Sequence, residues 1–280
     1  MNPYLVAGPA VISFSGGRTS AFMLHEILRA HGGQLPADVH VAFANTGKER
    51  EETLRFVHEC GVRWNVRLRW FEYRGHRAFD EVGYNSASRN GEPFETLIRE
   101  KQRLPNWQER WCTEWLKVRA LFAFAGTLGW TAGSYAEIIG LRHDEGLRIL
   151  NGLERADREG RKVLYPLSKA KVKKADVTAF WNDQEFDLGL RSYEGNCDFC
   201  FLKGRGIRKR IIRDGQASPA WWIQQEREQA GFFDRRDRMK DLVDECASSP
   251  EFFDEPILYR EEHDVECGLT CAPYDPARRE

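Results

Sequence analysis

Short apolar runs separated by longer stretches of helical periodicity constrain this chain more than any other feature. Ala10–Phe14 reads as a buried strand, followed by a Ser/Gly turn and an apolar-periodic stretch over Ala21–Ala30. Val39–Ala44 reads as a second strand, and Glu49–Cys60 as a helix closed by Gly61. Val66, Leu68 and Trp70 alternate with Arg67 and Arg69, which predicts a third strand running to Tyr73. Trp115–Phe124 predicts a further helix and Glu137–Leu141 a further strand. Strands alternating with helices of this length specify an α/β fold: a parallel twisted sheet with helices on both faces. The stretch from Gly75 to Asn106 is polar, irregular and rich in Arg, Asn and Gly. It reads as an excursion over the sheet edge or a mobile substrate loop. The composition changes after about Gly189, so a boundary is placed near residue 185, dividing a first unit (1–185) from a C-terminal segment (186–280).

Composition excludes several classes. The chain has 280 residues, of which 41% are hydrophobic and 30% charged, enough for a packed core and too apolar for global disorder. No apolar run approaches the ~18–20 residues that span a bilayer, so no membrane partner is expected. The first ten residues carry no basic region ahead of an apolar stretch, so a cytoplasmic location is expected. With 42 Lys+Arg against 43 Asp+Glu, global charge gives no argument for nucleic acid.

Ser15-Gly16-Gly17-Arg18-Thr19-Ser20 lies between a predicted strand and a predicted helix. Glycines there allow a tight turn that brings backbone N–H groups close to an anion. The helix N-terminus adds partial positive charge, and the hydroxyls add donors. It is not the P-loop, because no Lys stands at the required place. A Ser/Gly turn that only caps a helix is the plainer alternative. Seven cysteines form an odd count, which argues against a disulfide framework. Cys197-x-x-Cys200 can bind one metal, join a cluster or form a redox pair. Cys60 and Cys246 read as packed small hydrophobes.

Several blocks together resemble the PP-loop adenine-nucleotide α-hydrolase (ATP pyrophosphatase) superfamily, in its phosphoadenylylsulfate (PAPS) reductase branch. Ser15–Ser20 looks like the SGGxxS loop. Asn45-Thr46-Gly47 with Glu49, Glu52-Thr53 and Phe56-Val57 resembles the segment after the second strand. Arg110-Trp111-Cys112-Thr113 with Leu116-Lys117 resembles its R-x-C-T-x-x-L-K block. Gly140-Leu141-Arg142, Glu145 and Arg148 resemble its G-x-R-x-x-E-x-x-R block, and Tyr165-Pro166-Leu167 its P-L turn. These occur in the family's order over about residues 10–205.

The resemblance implies that Ser15, Gly16, Gly17, Arg18, Thr19, Ser20, Asn45, Thr46, Gly47, Gly140 and Arg142 hold the nucleotide, which is ATP, APS or PAPS. Arg142 and Arg148 then stabilise developing phosphate or sulfate charge in catalysis. Thr19 stands where ATP pyrophosphatases of the superfamily usually carry Asp, which weakens the case for Mg-assisted pyrophosphate release. The resemblance also implies a [4Fe–4S] cluster on Cys112, Cys197, Cys200 and a C-terminal cysteine, Cys271, with zinc on the same ligands as the alternative. Family members often have two adjacent cysteines in the R-x-C-T block, and here Trp111 is the neighbour. Glu266-Cys267-Gly268-Leu269 resembles the segment carrying the nucleophilic cysteine, with Thr270 in place of its His. Cys267 is therefore expected to attack the sulfate sulfur, with thioredoxin or a similar thiol as reductant. Cys271 could act as a resolving thiol instead of a ligand.

Six basic residues fall between Lys203 and Arg213 with no acidic one among them. Their spacing around Ile207, Ile211 and Ile212 predicts an amphipathic helix, basic on its exposed side, that could meet polyphosphate or a nucleic-acid backbone. Three functions follow. The first is a PAPS-reductase-like oxidoreductase. The second is an ATP pyrophosphatase that adenylylates nucleic acid for sulfur insertion. The third is a non-enzymatic nucleotide-sensing Fe–S or zinc protein that binds DNA.

Overall fold

A computed structural model describes residues 2–191 and 193–248. The elements run β1 (Ala10–Ser13), α1 (Arg18–Ala30), β2 (Val39–Asn45), α2 (Glu51–Arg63), β3 (Leu68–Gly75), β4 (Ala78–Val82) and α3 (Glu92–Lys101). There follow α4 (Trp111–Thr113), a π-helical turn (Glu114–Val118), α5 (Arg119–Thr127), β5 (Ala136–Ile139), a 3-10 turn (His143–Glu145), α6 (Gly146–Arg158) and β6 (Lys162–Leu164). The remainder is helical: α7 (Pro166–Lys169), α8 (Lys174–Asn182), α9 (Arg205–Arg213), α10 (Ala220–Glu228) and α11 (Met239–Ser248). No helix among the described residues is long and apolar enough to cross a membrane.

The six strands form one sheet in the order β4-β3-β2-β1-β5-β6, and every pair is parallel except β3–β4. The central strands are short and apolar because both faces are covered. Along β1, Ala10 and Ile12 enter one core with Phe14, Leu24, Ile27, Phe56 and Trp181. Val11 enters the opposite core with Phe71, Phe124, Ile139 and Val163. Alternate side chains of one strand thus anchor a helical layer on each face.

Four elements depart from the sequence reading. The stretch 75–106 is only partly irregular: β4 pairs back on β3 at the sheet edge through a two-residue turn, and α3 follows after a loop. β4 escaped notice because most of it is exposed at the sheet edge, so its pattern carries little apolar signal. Gly61 does not close α2, which continues to Arg63. Its missing Cβ instead leaves room for Leu68, whose Cδ1 would lie 3.2 Å from a Cβ at that position. The helix expected at Trp115–Phe124 starts earlier and is interrupted by the π-helical turn.

A third core joins both sides of the expected boundary near residue 185. Tyr73, Phe94, Leu97 and Trp111 pack with Phe199, Ile207, Trp222 and Phe233. The C-terminal helices are therefore seated on β3, α3 and the π turn.

Candidate functional site

In a parallel sheet, all loops leaving the carboxyl ends of the strands open on one side. Here β1 and β5 are neighbours, while the chain winds from β1 through β2 to β3 in the other direction. The gap between β1 and β5 is thus the topological switch point, where such sheets leave a crevice for a ligand. A narrow pocket occupies it, lined by Ser13, Ser15 and Ser20 from one side and Ile139, Gly140, Leu141 and Arg148 from the other.

The Ser15–Ser20 loop is built by short contacts. Ser15 donates to Ser20 Oγ from both its N–H (3.2 Å) and its hydroxyl (2.9 Å), and Ser20 Oγ donates to the Gly17 carbonyl (2.9 Å). Gly16 has φ of +80°, and a Cβ there would stand 2.7 Å from Thr53 Cγ2. Both the conformation and the space demand glycine. The N-cap, Gly17, makes no side-chain cap bond and no acidic residue stands in the first turn of α1, so its N-terminal dipole charge faces the pocket without an internal anion. Gly140 lets the β5 loop come close, since a Cβ there would lie 3.3 Å from Ser20 Cα.

Two of the expected cations flank this loop. Arg142 is buried and donates to Thr19 Oγ1 (3.0 Å) and Asp144 Oδ1 (3.1 Å). Its N–H donates to Glu145 Oε2 (2.9 Å), and Arg148 pairs with the same carboxylate while lining the pocket. Arg18, expected to hold nucleotide, forks onto Asp187 (2.7 and 2.5 Å) and does not line the pocket. Burial alone would raise the Asp187 pKa, but the Arg18 bond and the Gly189 N–H outweigh it and hold it below the ordinary value.

The second loop is fixed from behind by a residue the sequence reading missed. Glu72, fully buried in β3, accepts from Asn45 Nδ2 (2.6 Å), Ser88 N–H (2.6 Å) and Ser88 Oγ (2.7 Å), and pairs with Arg74 (2.8 Å). Asn45 Oδ1 in turn accepts the Gly47 N–H (3.1 Å), and Glu49 Oε2 accepts the Thr46 N–H and hydroxyl (2.7 and 2.8 Å). The available signal was a lone carboxylate inside the apolar run Trp70–Tyr73.

The cysteine turn is strapped across these loops. Arg50 N–H donates to Asn196 O (2.9 Å), Asp198 N–H to Lys48 O (3.1 Å), and Asn196 Nδ2 to Ser15 O (2.8 Å). Buried ion pairs Lys48–Asp198 (2.9 Å) and Arg50–Glu194 (3.2 Å) secure it. Burial, with the Glu49 and Asp198 charges adding, pushes the Cys197 thiol well above its ordinary pKa. Lys203 Nζ is also buried and donates to the Cys197 and Asp198 carbonyls (2.5 and 2.6 Å). Desolvation lowers its pKa against the opposing pull of Cys197 and Cys200.

Cys112 and Cys197 pack at the margin of the third core and Cys200 is buried, while among the described residues no group of three or more His, Cys, Asp or Glu side chains is placed to hold a metal. Cys267 and Cys271 lie outside the described residues. Cys60 is fully buried in the first core, as expected, and Cys246 is half-buried.

The basic run corrects an expectation. α9 forms, but Arg208 is buried between Asp234 and Asp237 (3.0 Å each) instead of lying on an exposed face. Arg205 pairs with Asp237 and Glu245, Lys209 with Glu245, and Arg210 with Asp214. These acids come from later in the chain and neutralise much of the run.

No family model matches the chain. It is similar to an uncharacterized nin region protein, ORF290, of Escherichia phage lambda, with 30% identity over 202 residues. The match covers 69% of this chain and 66% of that protein, just short of two thirds of its length.

Proposed function

We propose that the chain is a PAPS-reductase-like enzyme of the PP-loop superfamily that binds an adenine (sulfo)nucleotide between β1 and β5. The carrying observation is the position of the pocket: the SGGxxS loop, an uncapped helix N-terminus and Arg148 line the switch point of a sheet ordered β3-β2-β1-β5-β6. Backbone N–H groups at the start of α1 hold the anionic group. Arg148 lies in reach of the same anion, and Arg142 steadies Thr19 beside it. Asn45, held by Glu72, keeps the second loop in the shape that meets the nucleotide.

In the reductase reaction the Cys267 thiolate attacks the sulfate sulfur. The bond between that sulfur and the bridging phosphate oxygen breaks, and the nucleotide leaves as its phosphate. A dithiol reductant of the thioredoxin class then takes the thiosulfonate, releasing sulfite and becoming a disulfide. A [4Fe–4S] or zinc site using Cys197 and Cys200 belongs to this reading and is tested by metal content after anaerobic purification.

The test sets ATP, APS and PAPS side by side, measuring binding by calorimetry together with sulfite and pyrophosphate release. Sulfite from a sulfonucleotide, lost in Cys267→Ser, supports the reading. Pyrophosphate from ATP without sulfite selects the adenylylating alternative. Absence of nucleotide binding by folded protein overturns both.

A further inference from the structure

Much of the α9 charge is neutralised internally, and a second group of cations lies around the π-helical turn. Trp115 sits in that turn, and three cations converge on its ring. Lys101 Nζ lies 4.1 Å from the centroid, and the Arg77 and Arg119 guanidinium carbons lie 5.5 Å away. They come from three elements: the end of α3, the β3–β4 turn and the start of α5. Cations attracted to a ring face still repel one another, so such a cluster favours an added anion.

The nearby acids cancel it only in part. Glu114 pairs with Arg119 (2.8 Å) and with Arg155 (3.0 Å), and Glu109 pairs with Arg103 (2.7 Å). Glu100 accepts the Tyr73 hydroxyl and the His76 N–H. Among the described residues, neither Arg77 nor Lys101 has a carboxylate oxygen within 4.0 Å. Burial first, and then the charges of Arg103, Arg77 and Arg119 against that of Glu100, hold the Lys101 pKa below its ordinary value.

The turn that presents Arg77 is strained. His76 and Arg77 both take left-handed φ values, +49° and +64°, between the paired residues Gly75 and Ala78. Two-residue hairpins of this kind favour Asn-Gly, because other side chains resist positive φ. Retaining Arg there holds a cation over Trp115 at a cost to the turn. Beyond Lys101, the chain reaches Trp107, 59% exposed, on a turn tied back to Arg103 through Glu109. Cations interleaved with an exposed indole fit a strand carrying both phosphates and unpaired bases.

We propose that Arg77, Lys101, Arg103 and Arg119 around Trp115, with Trp107 beside them, form a binding surface for single-stranded nucleic acid. The cations meet the phosphates, and Trp107 stacks on a base. The surface is separate from the β1–β5 pocket, so the proposal stands whether or not the nucleotide reading holds.

Fluorescence anisotropy of a labelled dT20 or U20 strand with the full chain tests it across 50–300 mM NaCl. Binding is expected to weaken with a log–log salt slope of about −2, since single strands lose ~0.7 per neutralised phosphate and about three are met. Trp107→Ala should weaken binding about 5- to 150-fold, the range of one lost stack. Arg77→Gly is the most diagnostic variant: it relieves the left-handed strain and so should raise the melting temperature while weakening binding. Arg210→Gln on α9 should leave binding unchanged. No binding at 50 mM NaCl overturns the proposal, as does Arg77→Gly or the double variant R77E/K101E binding as well as the parent. Displacement of the strand by poly-glutamate at lower concentration than by unlabelled strand would assign the surface to an acidic protein instead. ATP titrated into the same variants reads the β1–β5 pocket separately, so failure of one site is distinguishable from failure of the other.

Discussion

The Ser15–Ser20 loop and the Lys203–Arg213 run are both anion-binding candidates when read in one dimension, and the fold treats them in opposite ways. The loop leaves β1 at the switch point, with glycine-dependent contacts beneath it and no internal anion at its helix terminus. The basic run becomes a helix whose central arginine is clamped by two carboxylates and buried. Loop position is inherited from the order of strands, so it survives folding. The meaning of a charge run depends on which acids arrive beside it. The first region should therefore govern ligand affinity and the second stability.

The largest expected effect tests the second half of that contrast. Arg208→Met removes the buried cation shared by Asp234 and Asp237, leaving them only the more exposed Arg236 and Arg205, and should cost about 3 kcal/mol in denaturant unfolding. Nucleotide affinity of the protein that remains folded should not change; a large loss of affinity would break the contrast. Next is Gly16→Ala, which combines left-handed φ with a 2.7 Å clash and should cost about 1–3 kcal/mol while abolishing nucleotide binding in calorimetry.

Arg142→Lys keeps the charge but loses the planar fork between Thr19 and Asp144. It should weaken nucleotide binding about tenfold, roughly 1.4 kcal/mol, with little change in melting temperature. Acid should also weaken the α9 region. Burial would raise the Asp234 pKa, but Arg236 and Arg208 together hold it below its ordinary value of 3.8. The folded state thus binds this proton less readily than the unfolded chain. Its stabilisation is complete well above pH 3.8 and is lost as pH falls through the lower folded value. Asp234→Asn should flatten that part of the stability–pH curve.

The smallest effect belongs to α6, whose Leu147, Leu150 and Leu153 face outward. Leu150→Gln should change stability by no more than about 0.5 kcal/mol.

Strands β1, β2 and β5 were legible because each is a largely apolar run covered by helices, and β3 because its apolar residues alternate with Arg67 and Arg69. β6 was not, since three residues with two exposed carry almost no periodic signal. In the site, Ser15–Gly17, Asn45–Gly47 and Gly140–Arg142 could be placed after strands from their glycines and neighbouring apolar runs. Glu72, Asn196 and Asp187 could not, because each acts on a partner remote in the chain: Asn45, Ser15 and Arg18 respectively.

Local periodicity and turn chemistry determined by themselves that this chain builds an α/β sheet with a Gly-rich turn at the head of its first helix. Those signals are complete within a dozen residues, so no distant contact is needed to read them. Only the tertiary structure decided which charges stay available. Arg208 is neutralised by acids more than twenty residues away, while Arg77 and Lys101 are gathered over Trp115 from separate elements. Electrostatic character follows distance in space, and that distance exists only once the chain has folded.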